Sequence, residues 1–445
     1  MLNLRKLRYN LLLTSLLLMA LQGYSQGISQ AVPAIWDLET CLQYAKTNNI
    51  QLRGLGLDKQ SAEQDLLLAK AAVLPDLYGS AAQSYNHYNK ATGIANSTLN
   101  YQGSIGLSSA WTLYQGGYLK TDIKQKDLSV QSAAYAIEQA RNDISIQITQ
   151  TYLSILVDKE SIIYLQDLVK TSVAQLAQAN KRFNTGSAAK KEVVQFEAQL
   201  ATDQYNLTAA QNAERLDKIS LRQILQLPEK LDFEIVRPLN ISTTADIPGL
   251  AAVQQYAFQN RPEIKNAQLG VQIADLNLQK AKTGYLPTLS LGAGIGTSYA
   301  KDPSYNAFRQ FDNNFYQQAG LTLSVPVFTK RQNKTATAKA RIAVAQSELS
   351  MEDTKTTLAL GTEKAFINVQ NAGSQFSSAT EQLKYNTEIY RIATQELNIG
   401  AANIVEYYQQ RNLYVQATQT YIQAKYNAAL AARIYEFYLG KPIKL

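Results

Sequence analysis

Four segments of the chain alternate between apolar residues and small or polar residues. The pattern is clearest over 101–113, where Ile105, Leu107 and Trp111 fall on one face and Ser and Gly residues fall on the other. A period of two places successive side chains on opposite faces of a β-strand. The predicted strands lie at about 77–90, 101–113, 288–300 and 315–328.

The strand pattern is typical of outer-membrane β-barrels, in which an apolar face meets lipid and a small polar face meets the lumen. A half-buried sheet in a soluble domain has the same period and is an alternative. Four strands are too few to close a barrel, since the smallest known have about eight. An open sheet edge in hydrocarbon leaves backbone groups without partners. If the strands cross a membrane, several copies of the chain must therefore contribute to one barrel.

Long segments with helical character follow each strand pair. Residues 118–185 contain neither Gly nor Pro, which allows a helix of about 100 Å at 1.5 Å per residue. Tyr407, Tyr414 and Tyr421 are spaced seven apart, as expected for a coiled coil. A fibrous or adhesive coiled coil is an alternative, but it does not explain the strands. The predicted long helices lie at about 117–184, 188–227, 331–398 and 402–439.

The chain contains the same order of features twice. The Leu-Pro pair ending at Pro75 is repeated 212 positions later at Pro287, and Gly186 is repeated 214 positions later at Gly400. A two-residue insertion in a loop accounts for the difference. We predict strand-entry turns at the two prolines and positive φ at the two glycines. The predicted repeats span 26–227 and 249–445, joined by a linker at 228–248.

The first residues resemble a secretory signal peptide. Arg5, Lys6 and Arg8 precede an apolar run at 11–21, and small or polar residues follow. A membrane-anchoring helix is the alternative, but the apolar run is shorter than the roughly 20 residues that span a bilayer. We predict a signal peptide at 1–25.

Composition excludes several classes of function. The net charge of +8 is small for 445 residues, and basic residues are interleaved with acidic ones, so nucleic acid is not an expected partner. With one histidine, His87, and one cysteine, Cys41, the chain lacks a Cys/His metal cluster and has no internal disulfide. There is no P-loop. We expect no catalytic residues, no cofactor and no metal, and therefore no enzyme.

Taken together, these features resemble the TolC family of outer-membrane efflux proteins over nearly the whole mature chain. The most specific marks are the paired Leu-Pro turns and the paired glycine turns between long helices. The resemblance implies a mainly α fold with a small transmembrane β-barrel, built from a duplicated unit of helix, two strands and a long helical hairpin. It also implies a homotrimer, in which three copies of four strands make a twelve-stranded barrel above a coiled-coil tunnel.

The resemblance implies a function as well. Family members are passive ducts for efflux or type I secretion, which receive substrates from an inner-membrane pump of the RND, ABC or MFS type through a periplasmic adaptor. The implied location is the outer membrane of a Gram-negative bacterium, with an extension into the periplasm. The alternative function is a structural periplasmic coiled-coil spacer, or a surface adhesin, without channel activity.

Site residues follow from the family placement. The adaptor of the family docks on the helical tips, which correspond here to Arg182, Gly186, Leu397 and Gly400.

The family narrows its periplasmic end with acidic residues after the second tip glycine. Glu406 matches the first acidic position, whereas Gln409 replaces the second and Ala402 replaces a basic latch residue. Glu192 is the equivalent of Glu406 in the first half. As an alternative, Glu192 and Glu406 are solvated carboxylates that complement helix dipoles in the first turns of their helices.

Overall fold

The computed structural model describes residues 35–87, 99–228, 231, 233–238, 247–301, 306–401 and 403–443. The predicted signal peptide, much of the predicted linker, residues 88–90 of the first predicted strand and Ala402 lie outside these residues. The strands are β1 (Ile35–Trp36), β2 (Tyr78–His87), β3 (Leu99–Gln115), β4 (Glu234–Ile235), β5 (Thr288–Ala300) and β6 (Tyr316–Ser324). The helices are α1 (Leu38–Asn48), α2 (Ile50–Ala71), α3 (Tyr118–Asn184), α4 (Lys190–Leu225), α5 (Leu250–Asn260), α6 (Pro262–Thr283), α7 (Ala307–Asn313), α8 (Gln332–Asn398) and α9 (Ile404–Tyr438).

Two pairs of long helices dominate the molecule. Helices α3 and α8 each have 67 residues, which corresponds to about 100 Å. Each is followed by a shorter antiparallel partner, α4 with 36 residues and α9 with 35. The helices continue without a break because no proline interrupts them, and α8 passes through Gly361 and Gly373.

The four helices of the two hairpins form a row. Helix α4 packs on α3, α3 contacts α9, and α9 packs on α8, so α4 and α8 are the outer members. Nearer the sheet, the row changes to α2, α3, α6 and α8. Helix α8 is therefore an outer helix along its whole length. No helix among the described residues is long and apolar enough to cross a membrane.

Strands β2, β3, β5 and β6 form one antiparallel sheet in that order. One face carries Ile105, Leu107, Ile295 and Leu321, which are 43–64% exposed. On this face Leu107 pairs with Ile295, and Leu321 pairs with Leu291. The opposite face carries Ser, Gly, Ala, Thr, Asn and Gln residues, with Tyr78 and Tyr316 at its margins. Within the described residues, β2 pairs only with β3 and β6 only with β5. Among the described residues, the sheet thus presents an apolar face that is largely exposed and two edges without a strand partner.

Strand β6 ends at Ser324, four residues before the end predicted from alternation. Pro326 follows, and proline cannot donate a hydrogen bond to a ladder, which explains the early end. The sequence pattern also did not predict α7, which folds back on β5. There Thr297 Oγ1 donates to the Phe311 carbonyl at 2.6 Å, and Asn314 Nδ2 donates to the Ser298 carbonyl at 2.7 Å.

A hydrophobic core lies about midway along the helices. Trp36 of β1 and Phe233 next to β4 pack edge to face, with ring centroids 6.4 Å apart. Tyr152 of α3 donates from its hydroxyl to the Val236 carbonyl at 2.7 Å. Strands β1 and β4 pair in parallel, so the segment between the halves of the chain is fixed to the N-terminal segment. This core holds both helical hairpins at one level.

Candidate functional site

The turn between α3 and α4 is a glycine-dependent helix stop. Gly186 has a φ of 76°, a left-handed conformation that favours glycine. Its N–H donates to the Phe183 carbonyl at 2.9 Å, and the Ser187 N–H donates to the Arg182 carbonyl at 2.8 Å. These two bonds form a Schellman motif, which satisfies carbonyls at the end of the helix.

The turn between α8 and α9 has the same construction. Gly400 has a φ of 75°, and its N–H donates to the Leu397 carbonyl at 3.2 Å. The Ala401 N–H donates to the Glu396 carbonyl at 2.8 Å. The positive φ predicted for both tip glycines is confirmed, and the tips have matching backbone geometry.

A small core joins the two tips, and we call it the tip core. Ala179, Val193, Ala393 and Tyr407 are all at most 4% exposed and pack in one cluster with Phe196. The first four each lie seven positions from the nearer tip glycine. Because each helix contributes at the same distance, the two tips end at one level.

The first tip contains an ion pair within the chain. Arg182 Nη1 lies 3.1 Å from Glu192 Oε1, and the Glu192 side chain is 18% exposed. Lys190 lies over the Phe183 ring at 5.7 Å from its centroid. The charge of Glu192 is therefore matched locally by Arg182.

Glu406 of the second tip has a different environment. It lies in the first turn of α9 and is exposed, as is Gln409 one turn later. The helix is capped by Asn403, whose side chain accepts from the Val405 N–H at 2.8 Å. In the part of the chain that the structure describes, Glu406 forms no ion pair and no side-chain hydrogen bond. Glu406 is thus an exposed carboxylate without a charged partner among the described residues of its own chain.

Above the tip core lies a buried charged group, which we call the Arg411 cluster. Arg411 of α9 is 1% exposed, and its Nη2 lies 2.5 Å from Asp203 Oδ2 of α4. Ser172 of α3 donates to the same carboxylate oxygen at 2.5 Å, and Gln199 Nε2 donates to Oδ1 at 3.0 Å. Three long helices are joined here by charge-assisted hydrogen bonds, which are among the stronger kinds.

Tyr407 connects the tip core to the Arg411 cluster. It is fully buried and hydrogen-bonded to Gln175 of α3, and its hydroxyl lies 3.1 Å from that of Tyr390 of α8. Burial, followed by the neighbouring Tyr390, raises the pKa of Tyr407, so its hydroxyl stays neutral. All four long helices are thereby joined near the tips by polar contacts.

The Arg411 cluster was not predicted from the sequence. Asp203 and Arg411 stand among polar residues that resemble solvated helix surface. The sequence offers one indication that Asp203 is buried. It lies seven residues after Phe196, and this spacing places both residues on the same face of α4, where Phe196 is also buried.

Each of the two predicted strand-entry turns contains an equivalent backbone hydrogen bond. Before Pro75 the Leu74 N–H donates to the Ala71 carbonyl, and before Pro287 the Leu286 N–H donates to the Thr283 carbonyl, both at 2.9 Å. Proline lacks an N–H and disfavours helix in the residue before it, which agrees with the end of α2 at Ala71 and of α6 at Thr283, three residues before each Leu-Pro pair. The turns direct α2 into β2 and α6 into β5.

A model of the outer membrane efflux protein family matches residues 41–226 and 253–440. The chain is similar to the outer membrane protein TolC of Escherichia coli, with 25% identity over 94% of this chain and 83% of that protein. It is also similar to the proteases secretion protein PrtF of Dickeya chrysanthemi, with 22% identity over 76% of this chain and 73% of that protein.

Solved structures show the same fold. A structure of CusC gives a TM-score of 0.79 at 18% identity and covers 93% of this chain and 95% of its own. The CmeC outer membrane channel of Campylobacter jejuni gives 0.80 at 17% identity and covers 91% of this chain and 85% of its own.

Proposed function

The chain belongs to the outer membrane efflux protein family, and from that membership we propose that it forms a passive duct from the periplasm to the cell exterior. It is an outer-membrane channel protein for efflux or secretion, it extends into the periplasm, and its family is one of channels rather than enzymes. The relatives described above are export proteins, and they do not support the alternative of a coiled-coil spacer or an adhesin.

The observation that supports a shared pore best is the four-stranded sheet, which among the described residues has a largely exposed apolar face and two unpaired edges. In hydrocarbon, each backbone group without a partner costs several kcal/mol. We propose that three copies close a twelve-stranded barrel, with β6 of one copy beside β2 of the next. The small polar face then lines the lumen, and the apolar face contacts lipid.

The repeated element order supports a duplicated unit. The order α2, β2, β3, α3, α4 in the first half has a counterpart in α6, β5, β6, α8, α9. The tip core and the strand-entry turns have equivalent members in both halves. We propose that the two hairpins of each copy are structural equivalents arranged around one tunnel.

The relatives are components of export systems, so the protein works with inner-membrane pump machinery. We propose that a periplasmic adaptor docks on the two tips, which end at one level and present Arg182, Gly186, Leu397 and Gly400. The rigid Schellman turns support this role, because a preorganised surface loses little entropy on binding.

We propose that Glu406 forms the narrow end of the tunnel. Three carboxylates converging on an axis repel one another and attract cations. Glu406 is exposed, whereas Glu192 is paired with Arg182, so the contribution of Glu192 to the constriction is the smaller one. Gln409 contributes a neutral amide to the same region.

Planar-bilayer recording tests this function. The native protein is expected to conduct ions and to be blocked by divalent cations, and Glu406→Gln is expected to weaken that block. Glu352→Gln, which removes an exposed carboxylate in the half of α8 farther from the tips, serves as the matched control. If Glu406→Gln behaves like the control, the constriction is elsewhere. If the native protein leaves the bilayer tight, it is not a channel.

A further inference from the structure

A basic segment lies where the chain passes from β6 into α8. It carries five exposed cationic residues, which we call the basic junction: Lys330, Arg331, Lys334, Lys339 and Arg341. None of the five forms an ion pair or a side-chain hydrogen bond within the described part of the chain. The sequence has no aspartate or glutamate between Asp312 and Glu348, so no carboxylate close by in the chain offsets this charge.

The equivalent segment in the first half of the chain carries a different charge. Residues 116–127, which lie 214 positions before the basic junction, contain three lysines and two aspartates. Lys126 pairs with Asp65 at 2.7 Å, and Asp122 pairs with Lys280 at 2.8 Å. The charges of the first segment are thus partly matched within the chain, whereas those of the basic junction are not.

The turn of the basic junction holds two long side chains in an unfavourable backbone conformation. Lys330 has a φ of 46° and Arg331 a φ of 71°. The equivalent residues of the first half, Gly116 and Gly117, have φ values of 59° and 83°. Glycine adopts this left-handed region freely, whereas residues with a side chain rarely do. The fold of the turn therefore does not require a lysine and an arginine, and strain of this kind is concentrated at functional sites.

Exposed apolar residues lie directly beside the basic junction. Val327 and Phe328, which connect β6 to the turn, are 93% and 83% exposed. Asn333 Nδ2 donates to the Gly284 carbonyl, so the turn also lies next to Tyr285, which is 50% exposed. Aromatic and apolar side chains next to a group of cations are typical of surfaces in the headgroup region of a membrane.

We propose that the basic junction binds the phosphate headgroups of anionic phospholipids in the periplasmic leaflet of the outer membrane, with Val327 and Phe328 in the adjacent apolar layer. This proposal rests on the proposed channel function, in which the sheet crosses the membrane and the helices extend into the periplasm. The basic junction then lies where the sheet leaves the lipid. Lysine and arginine form charge-assisted hydrogen bonds with phosphate, and each cation near an anionic surface strengthens binding.

Lipid titration of the purified full chain in non-ionic detergent, followed by native mass spectrometry, tests the site. The probes are dioleoylphosphatidylglycerol, which is anionic, and dioleoylphosphatidylcholine, which has the same acyl chains and no net charge. The native protein is expected to bind the anionic lipid more tightly, with a preference that falls as salt is raised. Inorganic phosphate is expected not to displace the lipid, because it has no acyl chain to contact Val327 and Phe328.

The double variant Lys330→Gly with Arg331→Gly gives the turn the residues of the first half. It removes two cations and also relieves the strain, so its unfolding temperature is expected to equal or exceed that of the native protein. Its affinity for the anionic lipid is expected to fall about ten- to thirtyfold, with no change for the zwitterionic lipid. Lys355→Gln with Lys364→Gln, which removes two exposed cations farther along α8, is the matched control and is expected to keep the native affinity.

Three results overturn the lipid site. The native protein binds both lipids equally, the glycine variant binds the anionic lipid as tightly as the native protein does, or the control loses as much affinity as the glycine variant. A glycine variant that keeps its lipid affinity but separates into single copies shows that the basic junction contacts a neighbouring copy instead. Conductance in bilayers of the zwitterionic lipid separates the two proposals. A protein that conducts there without a preference for the anionic lipid refutes only the lipid site, whereas one that leaves the bilayer tight refutes the channel function on which the site depends.

Discussion

Breaking the Arg411 cluster is expected to loosen the tips selectively. Arg411 and Asp203 are each 1% exposed, so removal of one leaves the charge of the other buried. Breaking a buried pair in this way costs about 3–5 kcal/mol. In Arg411→Ala, Asp203 keeps hydrogen bonds from Ser172 and Gln199. The loss of stability in this variant is therefore expected to lie at the lower end of that range.

Asp203→Ala is expected to destabilise the tips more than Arg411→Ala does. The guanidinium then retains only Ser172, at 3.1 Å, and its Nε already has no hydrogen-bond partner among the described residues. Replacing both residues, as Arg411→Met with Asp203→Leu, removes both charges and is expected to recover most of the loss, because apolar replacements of buried pairs are often neutral.

Hydrogen exchange with mass spectrometry in detergent measures these effects locally. Amides of 172–203 and 393–411 are expected to exchange faster by about two to four powers of ten in the single variants. The sheet is expected to be unaffected. Arg391→Ala, which breaks an exposed pair with Glu388 near the same tip, serves as the control. A change below tenfold in both single variants, or a double variant as fast as Asp203→Ala, refutes the reasoning.

Two further substitutions test individual features. Gly400→Ala places a side chain at positive φ and is expected to lower the free energy of unfolding by about 1–2 kcal/mol. Gly373→Ala, within a helix and with open space around it, is expected to raise it by about 0.5–1 kcal/mol. Thermal unfolding followed by circular dichroism compares the two variants. Burial and the nearby Asp217 and Glu214 raise the pKa of Asp158 to about 6 from 3.8, so its ionisation destabilises the folded state progressively as pH rises between those values. Asp158→Asn is accordingly expected to stabilise by about 1–2 kcal/mol at pH 7.5, after allowance for partial exposure, and to have little effect at pH 4, and equal effects at both pH values contradict this account.

Local patterns in the sequence determined much of the fold. Alternation at Ile105 and Leu107 identified β3, and proline and glycine at Pro75 and Gly186 identified where helices end. Of the heptad residues Tyr407, Tyr414 and Tyr421, the first is fully buried and the other two are half-buried, so the spacing indicated a packed face of α9. These signals act over a few residues, so a single sequence carries them.

Features that depend on distant partners were not visible. Arg411 and Asp203 are far apart in the chain, and nothing in their local context distinguishes a buried charge from a solvated one. The adjacency of β3 and β5, which brings the two halves into one sheet, is likewise set by tertiary packing. The short helix α7 depends on hydrogen bonds to β5 rather than on its own propensity.

The polar face of the sheet has a consequence for permeation. Along the described parts of β2, β3, β5 and β6, this face carries no lysine, arginine, aspartate or glutamate. In the proposed barrel, where this face lines the lumen, a wall of this composition has little electrostatic preference between anions and cations. For that arrangement, we expect discrimination by charge to arise beyond these strands, as at the proposed Glu406 constriction roughly 100 Å away, where the long helices terminate.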